Sequence, residues 1–492
     1  MKILFVQTDS LNNVINSAMH IYSFEPLGLY YLAATIRDEH DVDLLDLNCE
    51  TAQYPLLAEQ LFLNKILTFQ PDVICFSAFT SVRTGRILEF ASTVKRLTGD
   101  VSIIVGGVHA ALIPSDFDHQ DIDFVISKNS IEIFQKVIAC LNNGIQKQTI
   151  QRMIETSIPT SNSLLCKWPM PYRKLGMKYW NSYRISIGKP GITRIRERIS
   201  SIKTSSGCPF RCNFCCLWQL YPKYQTRSVE TVISELREIE NELVFFADDE
   251  SLIDINYMMS LADAIEKEGI RKRYVMYARS DTIDKNPSLL EAWAKAGLTQ
   301  LWIGLEGSTD AQLKRYNKNN DTRSHESAIK KARLLGIDIH ATALVDDSFQ
   351  EKDFQHLLKY TRDYLCLTSC HFFVRTPFRG TSYYREIMSS EPSTILTQNP
   401  DHYSIRQSVI QPKHMSIEKF HQLFADLQRD FNSDTIPFSY AGAFDHQTLE
   451  EEFVFLKAKN ETFYKYLLFS HTDYDDGYLM ETIPPIQEIM MH

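Results

Sequence analysis

Residues 199–218 read ISSIKTSSGCPFRCNFCCLW, and three cysteines in that stretch, Cys208, Cys212 and Cys215, stand in a Cys-x3-Cys-x2-Cys spacing with Phe214 just before the last. The run from Ile199 to Ser205 reads as a short strand, which puts the cysteines on the loop leaving it. Three thiolates so close together on a loop bearing Gly207 and Pro209 can grip three corners of one metal centre. Zinc usually takes four ligands from two separated pairs, and redox motifs use two cysteines. Thiolate-only ligation with one corner open suits an iron–sulfur cluster whose fourth iron is free for a substrate. The plainer readings are three buried structural cysteines or a zinc knuckle. Cys216 follows directly, and its side chain should point away from its neighbour's into packing.

The pattern Cys208-x3-Cys212-x-Phe214-Cys215 resembles the signature of radical S-adenosylmethionine (radical SAM) enzymes. The resemblance implies that the amino and carboxylate groups of SAM chelate the open iron of a 4Fe-4S cluster. It also implies that reduction of the cluster cleaves SAM to a 5′-deoxyadenosyl radical.

At 492 residues the chain has room for two or three domains, and its 44% hydrophobic content is that of a globular protein with a sizeable core. Ten cysteines without an N-terminal apolar leader point to a reducing, cytoplasmic setting and not to a disulfide framework. No run approaches the length of a transmembrane helix. The net charge of −9 gives no electrostatic footprint for nucleic acid. One basic stretch, with Lys189, Arg194, Arg196, Arg198 and Lys203, reads as a surface approach to the cysteine-bearing domain.

Residues 1–145 alternate apolar strand runs (2–7, 42–46, 72–77, 101–106, 124–127) with amphipathic helices (26–39, 58–68, 84–97, 132–141). That pattern predicts a doubly wound, Rossmann-like parallel sheet covered on both faces, whose ligands bind beyond the carboxyl ends of the strands. Ser77 to Ser81 follow the third strand and Gly106-Gly107-Val108-His109-Ala110 the fourth. Small residues there let a bulky ligand approach the backbone. Together with Glu25-Pro26-Leu27-Gly28-Leu29, these turns resemble the cobalamin-binding module of one radical SAM subclass, with Ser77, Thr80, Gly106, Gly107 and His109 as the implied cobalamin contacts. Gln7-Thr8-Asp9-Ser10-Leu11 lacks the histidine that ligates cobalt in the Asp-x-His-x-x-Gly methyltransferases, so the resemblance implies a cobalt with no protein imidazole. For a lone histidine such as His109, packing is the plainer account.

Residues 146–198 lack periodicity and carry four prolines, which marks an interdomain linker. From 199 to 384 strand and helix alternate again, with strands at 199–205, 243–247, 273–278, 300–305, 337–344 and 369–374. Six parallel strands after the cysteine loop resemble the partial (β/α)6 barrel of radical SAM enzymes, and chemistry in such barrels sits at the carboxyl ends of strands. There the resemblance implies SAM contacts from Phe214, Asp248, Arg279 and Glu306, the last three ending the second, third and fourth strands. A salt bridge of Arg279 with Asp248 or Glu306 is the structural alternative. Thr376-Pro377-Phe378-Arg379-Gly380-Thr381 resembles a turn near the substrate side. Residues 385–492 read as a C-terminal mixed cap that carries substrate choice, with a helix at 416–431 and Tyr440, Tyr464, Tyr466 and Tyr474 as pocket or packing residues.

Over its length the chain resembles the class holding hopanoid C-methylases and the anaerobic porphyrin cyclase. That class implies a cobalamin-dependent methyltransferase acting on an unactivated carbon through the 5′-deoxyadenosyl radical and methylcobalamin. It implies a small-molecule, lipid or peptide substrate and an electron donor such as flavodoxin or ferredoxin. Three alternatives stay open: a non-methylating radical enzyme (oxidative cyclase or rearrangement), an RNA methylthiotransferase, and a non-enzymatic cobalamin sensor. The methylthiotransferase needs three further cysteines, for which Cys49, Cys75 and Cys140 are candidates by count alone.

Overall fold

Ile3 to Val6, Val73 to Phe76 and Ser102 to Val105 are continuously buried runs, the signature of strands covered on both faces. The structure, a computed structural model, describes residues 1–9, 23–51, 57–128, 130–157, 165–189, 192–221, 223–432 and 464. It divides into two compact units, Met1–Tyr183 and Arg184–His492.

In the first unit five parallel strands, Lys2–Gln7, Asp41–Asp46, Val73–Ser77, Ser102–Gly106 and Phe124–Ile126, are ordered second, first, third, fourth, fifth. This is the doubly wound sheet expected, and the order reverses between the first and third strands. Helices Ala58–Phe69 and Thr84–Thr98 cover one face through Phe62 and Phe90, whose rings stack at 4.1 Å. Truncating either ring to Ala in such a packed layer costs about 3–5 kcal/mol.

The stretch read as a linker packs into the first unit as far as Tyr183. It forms a helix, Lys147–Thr156, that buries Ile150 and Ile154 one turn apart. Trp168 then packs edge-on against Tyr31 at 4.8 Å, and Tyr172 N–H donates to Tyr30 O at 3.0 Å, which builds this stretch into the first unit. The antiparallel hairpin Arg184–Lys189 with Ile192–Arg198 opens the second unit.

The second unit holds six parallel strands, Ser200–Ile202, Leu243–Phe246, Arg273–Ala278, Leu298–Glu306, Asp338–Val345 and Cys370–Val374, paired strictly in chain order. Strand parity separates the two faces. Tyr274 meets Trp293 of the outer helix Pro287–Ala296 at 5.6 Å, whereas Tyr277 meets Trp302 of the next strand at 5.4 Å on the inner face. Outer helices start where Ser228, Asp254 and Asp321 accept hydrogen bonds from the backbone N–H three residues on. Beyond the sixth strand, helix Ile417–Asn432 packs Phe420 on Phe354 and Phe431 on Phe372. Tyr440, Tyr466 and Tyr474 lie outside the described residues; Tyr464 O–H donates to Asp426 at 3.0 Å. Among the described residues no helix is long and apolar enough to cross a membrane.

Candidate functional site

The cysteine loop leaves the first strand of the second unit and is braced along its whole length. Asp248, after the second strand, is 3% exposed, and both its oxygens face the loop: they accept from Thr204 N–H and Ser205 N–H at 2.8 Å and from Thr204 Oγ1 at 2.6 Å. Asp249 accepts from Gly207 N–H at 2.6 Å, and Lys203 lies 3.7 Å from it. Gly207 has φ 93°, and a Cβ there would stand 2.6 Å from Lys223 O, so this turn requires glycine. At the far end Asn213 N–H donates to Tyr316 O at 3.0 Å, its Nδ2 to Arg315 O at 2.9 Å, and Asn317 Nδ2 to Arg211 O at 2.7 Å. Arg375 adds a bond to Asn213 Oδ1 at 3.1 Å while paired with Asp346 at 2.8 Å.

This bracing gathers Cys208, Cys212 and Cys215. Burial pushes the Cys208 thiol up to about 11 and the Cys215 thiol up to about 12, against the backbone N–H groups of Phe210 and Leu217. Cys215 feels both other thiols, which places the three sulfurs within one another's field. Cys215 N–H closes a turn on Cys212 O at 3.1 Å, and the Phe214 ring stands edge-on to Tyr316 at 6.2 Å.

Around the thiols lie three charged side chains at strand ends, Glu250, Arg279 and Glu306, and a fourth, Lys318, on the loop after helix Asp310–Arg315. Arg279 is 4% exposed and largely spent: Nε donates to Asp281 at 2.8 Å, Nη2 to Lys318 O at 2.8 Å and Asn319 O at 3.1 Å, and its plane stacks over Phe210 at 3.6 Å. Its ion-pair partner is therefore Asp281, two residues on, and neither Asp248 nor Glu306. Glu250, buried, accepts from Arg279 N–H at 3.1 Å, and burial raises its carboxyl to about 7 against the pull of Lys318 and Arg279. Glu306 sits at a register shift of the fourth strand in the left-handed region, φ 65°, and faces Lys318 Nζ at 3.2 Å. A bulge with left-handed backbone at a strand end re-aims a side chain at a cost, which marks functional positions. A Cβ on Gly304 would collide with Glu306 Oε1 at 2.1 Å, so the glycine makes room for the pair. Lys318, 7% exposed, was missed in the sequence because Asn317-Lys318-Asn319-Asn320 reads as a solvated loop.

In the first unit Ser77, Thr80 and Gly106 are half-buried at the carboxyl ends of the third and fourth strands, beside Phe79, which is 58% exposed. Gly107 has φ 109°, and a Cβ there would stand 2.8 Å from Ala78 O. Ala78 N–H donates to Gly106 O at 2.7 Å and His109 N–H to Ala78 O at 2.9 Å, lacing the two turns together. The His109 ring is turned to Asp116, with Nε2 2.9 Å from Oδ2, and packs edge-on to Phe117. It is brought into the core of the turn and not to the open side of the crevice with Ser77 and Thr80. Cys75 is buried inside its strand, and among the described residues Cys49, Cys75 and Cys140 form no metal-binding group.

Comparison with known proteins agrees with both halves of this geometry. Residues 202–361 match the radical SAM superfamily and residues 21–137 the B12 binding domain. The chain is 26% identical over 419 residues to the hopanoid C-3 methylase of Methylococcus capsulatus, covering 81% of this chain and 74% of that one. It is 23% identical over 376 residues to the anaerobic magnesium-protoporphyrin IX monomethyl ester cyclase of Synechocystis, covering 73% and 72%. The solved structure of the cobalamin-dependent S-adenosylmethionine radical enzyme OxsB, with aqua-cobalamin and S-adenosylmethionine bound, superposes with a TM-score of 0.67 at 15% identity, covering 100% of this chain and 74% of that one. The chain thus joins a B12 binding domain to a radical SAM domain, the combination of a cobalamin-dependent radical SAM enzyme, whose cofactors are a 4Fe-4S cluster, SAM and cobalamin.

Proposed function

We propose that the chain transfers a methyl group to an unactivated carbon of a small-molecule, lipid or peptide substrate, with electrons from a flavodoxin- or ferredoxin-like donor. The observation that carries this reading is the gathering of Cys208, Cys212 and Cys215 on one braced loop, with the Lys318–Glu306 pair beside Cys212. The donor set suits a 4Fe-4S cluster. Three cysteines share one loop, and the Cys215 thiol lies in the electrostatic field of Cys212 and Cys208, which supplies three thiolates for a cluster with one iron left open. When bound, the cluster supplies the electron that splits SAM, and cobalamin supplies a methyl group to a carbon that has no polar nucleophile.

The chain's own residues divide the remaining work. Cys208, Cys212 and Cys215 hold the cluster, and because burial keeps their thiols protonated in the cluster-free chain, loading releases protons. Lys318 meets the SAM carboxylate and Glu306 its amino or ribose groups. Arg279 orients Lys318 through the carbonyls it binds. Phe214 and Tyr316 wall this side of the site. Asp248 acts through the loop backbone, and Glu250 is the carboxylate of that turn left beside Cys208 and Lys318. Ser77, Thr80, Gly106 and Gly107 line the cobalamin crevice, and His109 supports it from behind.

The cyclase relative favours a second reading, a non-methylating radical conversion on the same machinery. Anaerobic turnover with trideuteromethyl SAM separates the two. Methylation yields a labelled product with S-adenosylhomocysteine and 5′-deoxyadenosine in matching amounts. 5′-Deoxyadenosine formed with substrate but without S-adenosylhomocysteine or label assigns the non-methylating reaction.

A further inference from the structure

The carboxyl ends of the first three strands of the N-terminal unit carry a buried polar cluster that none of the assignments above uses. Thr8 and Asp9 follow the first strand, Asp46 ends the second, and Arg83 and Thr84 follow the third by way of the Ser81–Arg83 turn. These strands flank the reversal of strand order, the crevice where sheets of this kind bind ligands. Its two carboxylates have partners. Asp46 accepts from Tyr183 O–H at 3.1 Å and from Asn48 N–H at 3.1 Å, and Asp9 pairs with Arg86 at 3.2 Å.

Arg83 differs from the aspartates. It is 7% exposed and within the electrostatic field of Asp46 and Asp9, yet among the described residues its guanidinium makes no hydrogen bond and no ion pair. Its Nη1 is sealed from water without an acceptor, as are Thr8 Oγ1 and Thr84 Oγ1. A buried guanidinium with no acceptor is costly to fold, and buried polar atoms in native proteins nearly always have partners. Three such atoms at one strand-end crevice mark a place where a ligand's polar group completes the structure.

We infer that Arg83, with Thr8 and Thr84, receives a neutral side-chain carboxamide of the corrin ring of cobalamin. The charges around it decide which part of the cofactor arrives. Asp9 and Asp46 already face Arg83 and Arg86, and Glu89 adds a carboxylate on Arg86 at 2.9 Å, so the cluster has no positive charge to spare. The anionic phosphate of the nucleotide tail would meet those carboxylates at close range. A carboxamide brings a carbonyl acceptor for the guanidinium, an N–H donor for hydroxyl or carboxylate, and no charge.

The test titrates the full chain with hydroxocobalamin and with dicyanocobinamide, which keeps the corrin carboxamides but lacks the nucleotide tail. Arg83→Met is expected to weaken both by the same factor, about 10- to 100-fold, the factor that one charge-assisted hydrogen bond supplies. The thermal midpoint of the cofactor-free chain should hold in Arg83→Lys, which keeps the positive charge beside Asp9 and Asp46, and that variant should recover part of the affinity. A loss confined to hydroxocobalamin would hand Arg83 to the nucleotide tail and overturn the assignment. Unchanged affinity for both corrinoids, or a lowered midpoint in both variants, would make Arg83 a structural group and overturn it equally.

Discussion

Lys318 Nζ lies 3.2 Å from Glu306 Oε1, and both groups act on the Cys212 thiol: burial raises its proton affinity most, Lys318 opposes that and Glu306 adds to it. A paired cation and anion beside one thiol proposed to hold the cluster form the complement of an amino-acid head group, which carries a carboxylate and an ammonium on one carbon. The pair is held by geometry at both ends. Asn317 and Asn319, each with φ 52°, fold the loop so that Lys318 turns inward, and its carbonyl is fixed by Arg279.

Lys318→Met should therefore lower SAM affinity by about one to two decades, the value of a charge-assisted contact of about 1.5–3 kcal/mol. Decarboxylated SAM, which lacks the group Lys318 is assigned to, should lose far less. Equal losses for the two ligands, at unchanged iron content, would remove Lys318 from the carboxylate.

Cluster loading should depend on Asp248 through the loop backbone that it holds. Asp248→Ala leaves Thr204 N–H, Ser205 N–H and Thr204 Oγ1 without their acceptor in a buried setting. Each orphaned group costs about 1–3 kcal/mol, so the loop should lose its path and the thermal midpoint should drop. Iron and sulfide content of anaerobically purified protein should fall toward that of the Cys208/Cys212/Cys215 triple-Ala chain, which is expected to hold none. Full iron in Asp248→Ala would show that the loop keeps its shape unaided.

Much of this architecture is legible in the sequence, and the misses have physical reasons. The strand–helix alternation and the cysteine spacing are local signals, and each has its counterpart in the structure. Asp248, Asp249 and Glu250 end one strand in succession, and which of them faces the loop and which faces the thiols is set by the turn that follows, not by residue type. The same holds for Arg279, whose partner Asp281 is near in sequence but belongs to a short helix, Ser280–Lys285, that the strand pattern does not announce. Lys318 is buried by contacts with residues 279 and 306, a fact no window of sequence contains. The helix Lys147–Thr156 did carry a signal in Ile150 and Ile154, outweighed by the prolines beyond it.

Asp46 gives the N-terminal unit a pH dependence with a definite sign. Burial raises its carboxyl to about 6 from 3.8, against the pull of the Tyr183 hydroxyl and Arg83. The folded chain thus holds a proton that the unfolded chain releases near pH 4, so stability falls as pH rises from about 4 to 6 and is flat beyond. The span is about 3 kcal/mol, from about 1.4 kcal/mol for each pH unit. Asp46→Asn keeps an acceptor for Tyr183 and Asn48 and removes the titration. Its urea midpoint should be less sensitive to pH than that of the parent between pH 4 and 6; parallel curves would exclude Asp46 as the source.

Arg279 separates a residue that holds the site from one that holds the ligand. By position at the end of the third strand it invites assignment to the SAM carboxylate, yet its donors go to Asp281, Lys318 O and Asn319 O, and its face covers Phe210. Arg279→Lys replaces a planar fork by a single ammonium that cannot span a carboxylate on one side and two carbonyls on the other. At least one buried partner is left short, at a cost of about 1–3 kcal/mol. For a unit of this size that lowers the thermal midpoint by about 2–4 °C per kcal/mol. SAM affinity per folded molecule should hold, because the ammonium of Lys318 remains. Both quantities come from one anaerobic preparation, with iron content as the control for folded sites. A fall in SAM affinity at an unchanged midpoint would return the carboxylate to Arg279 and leave Lys318 as the partner of Glu306 alone.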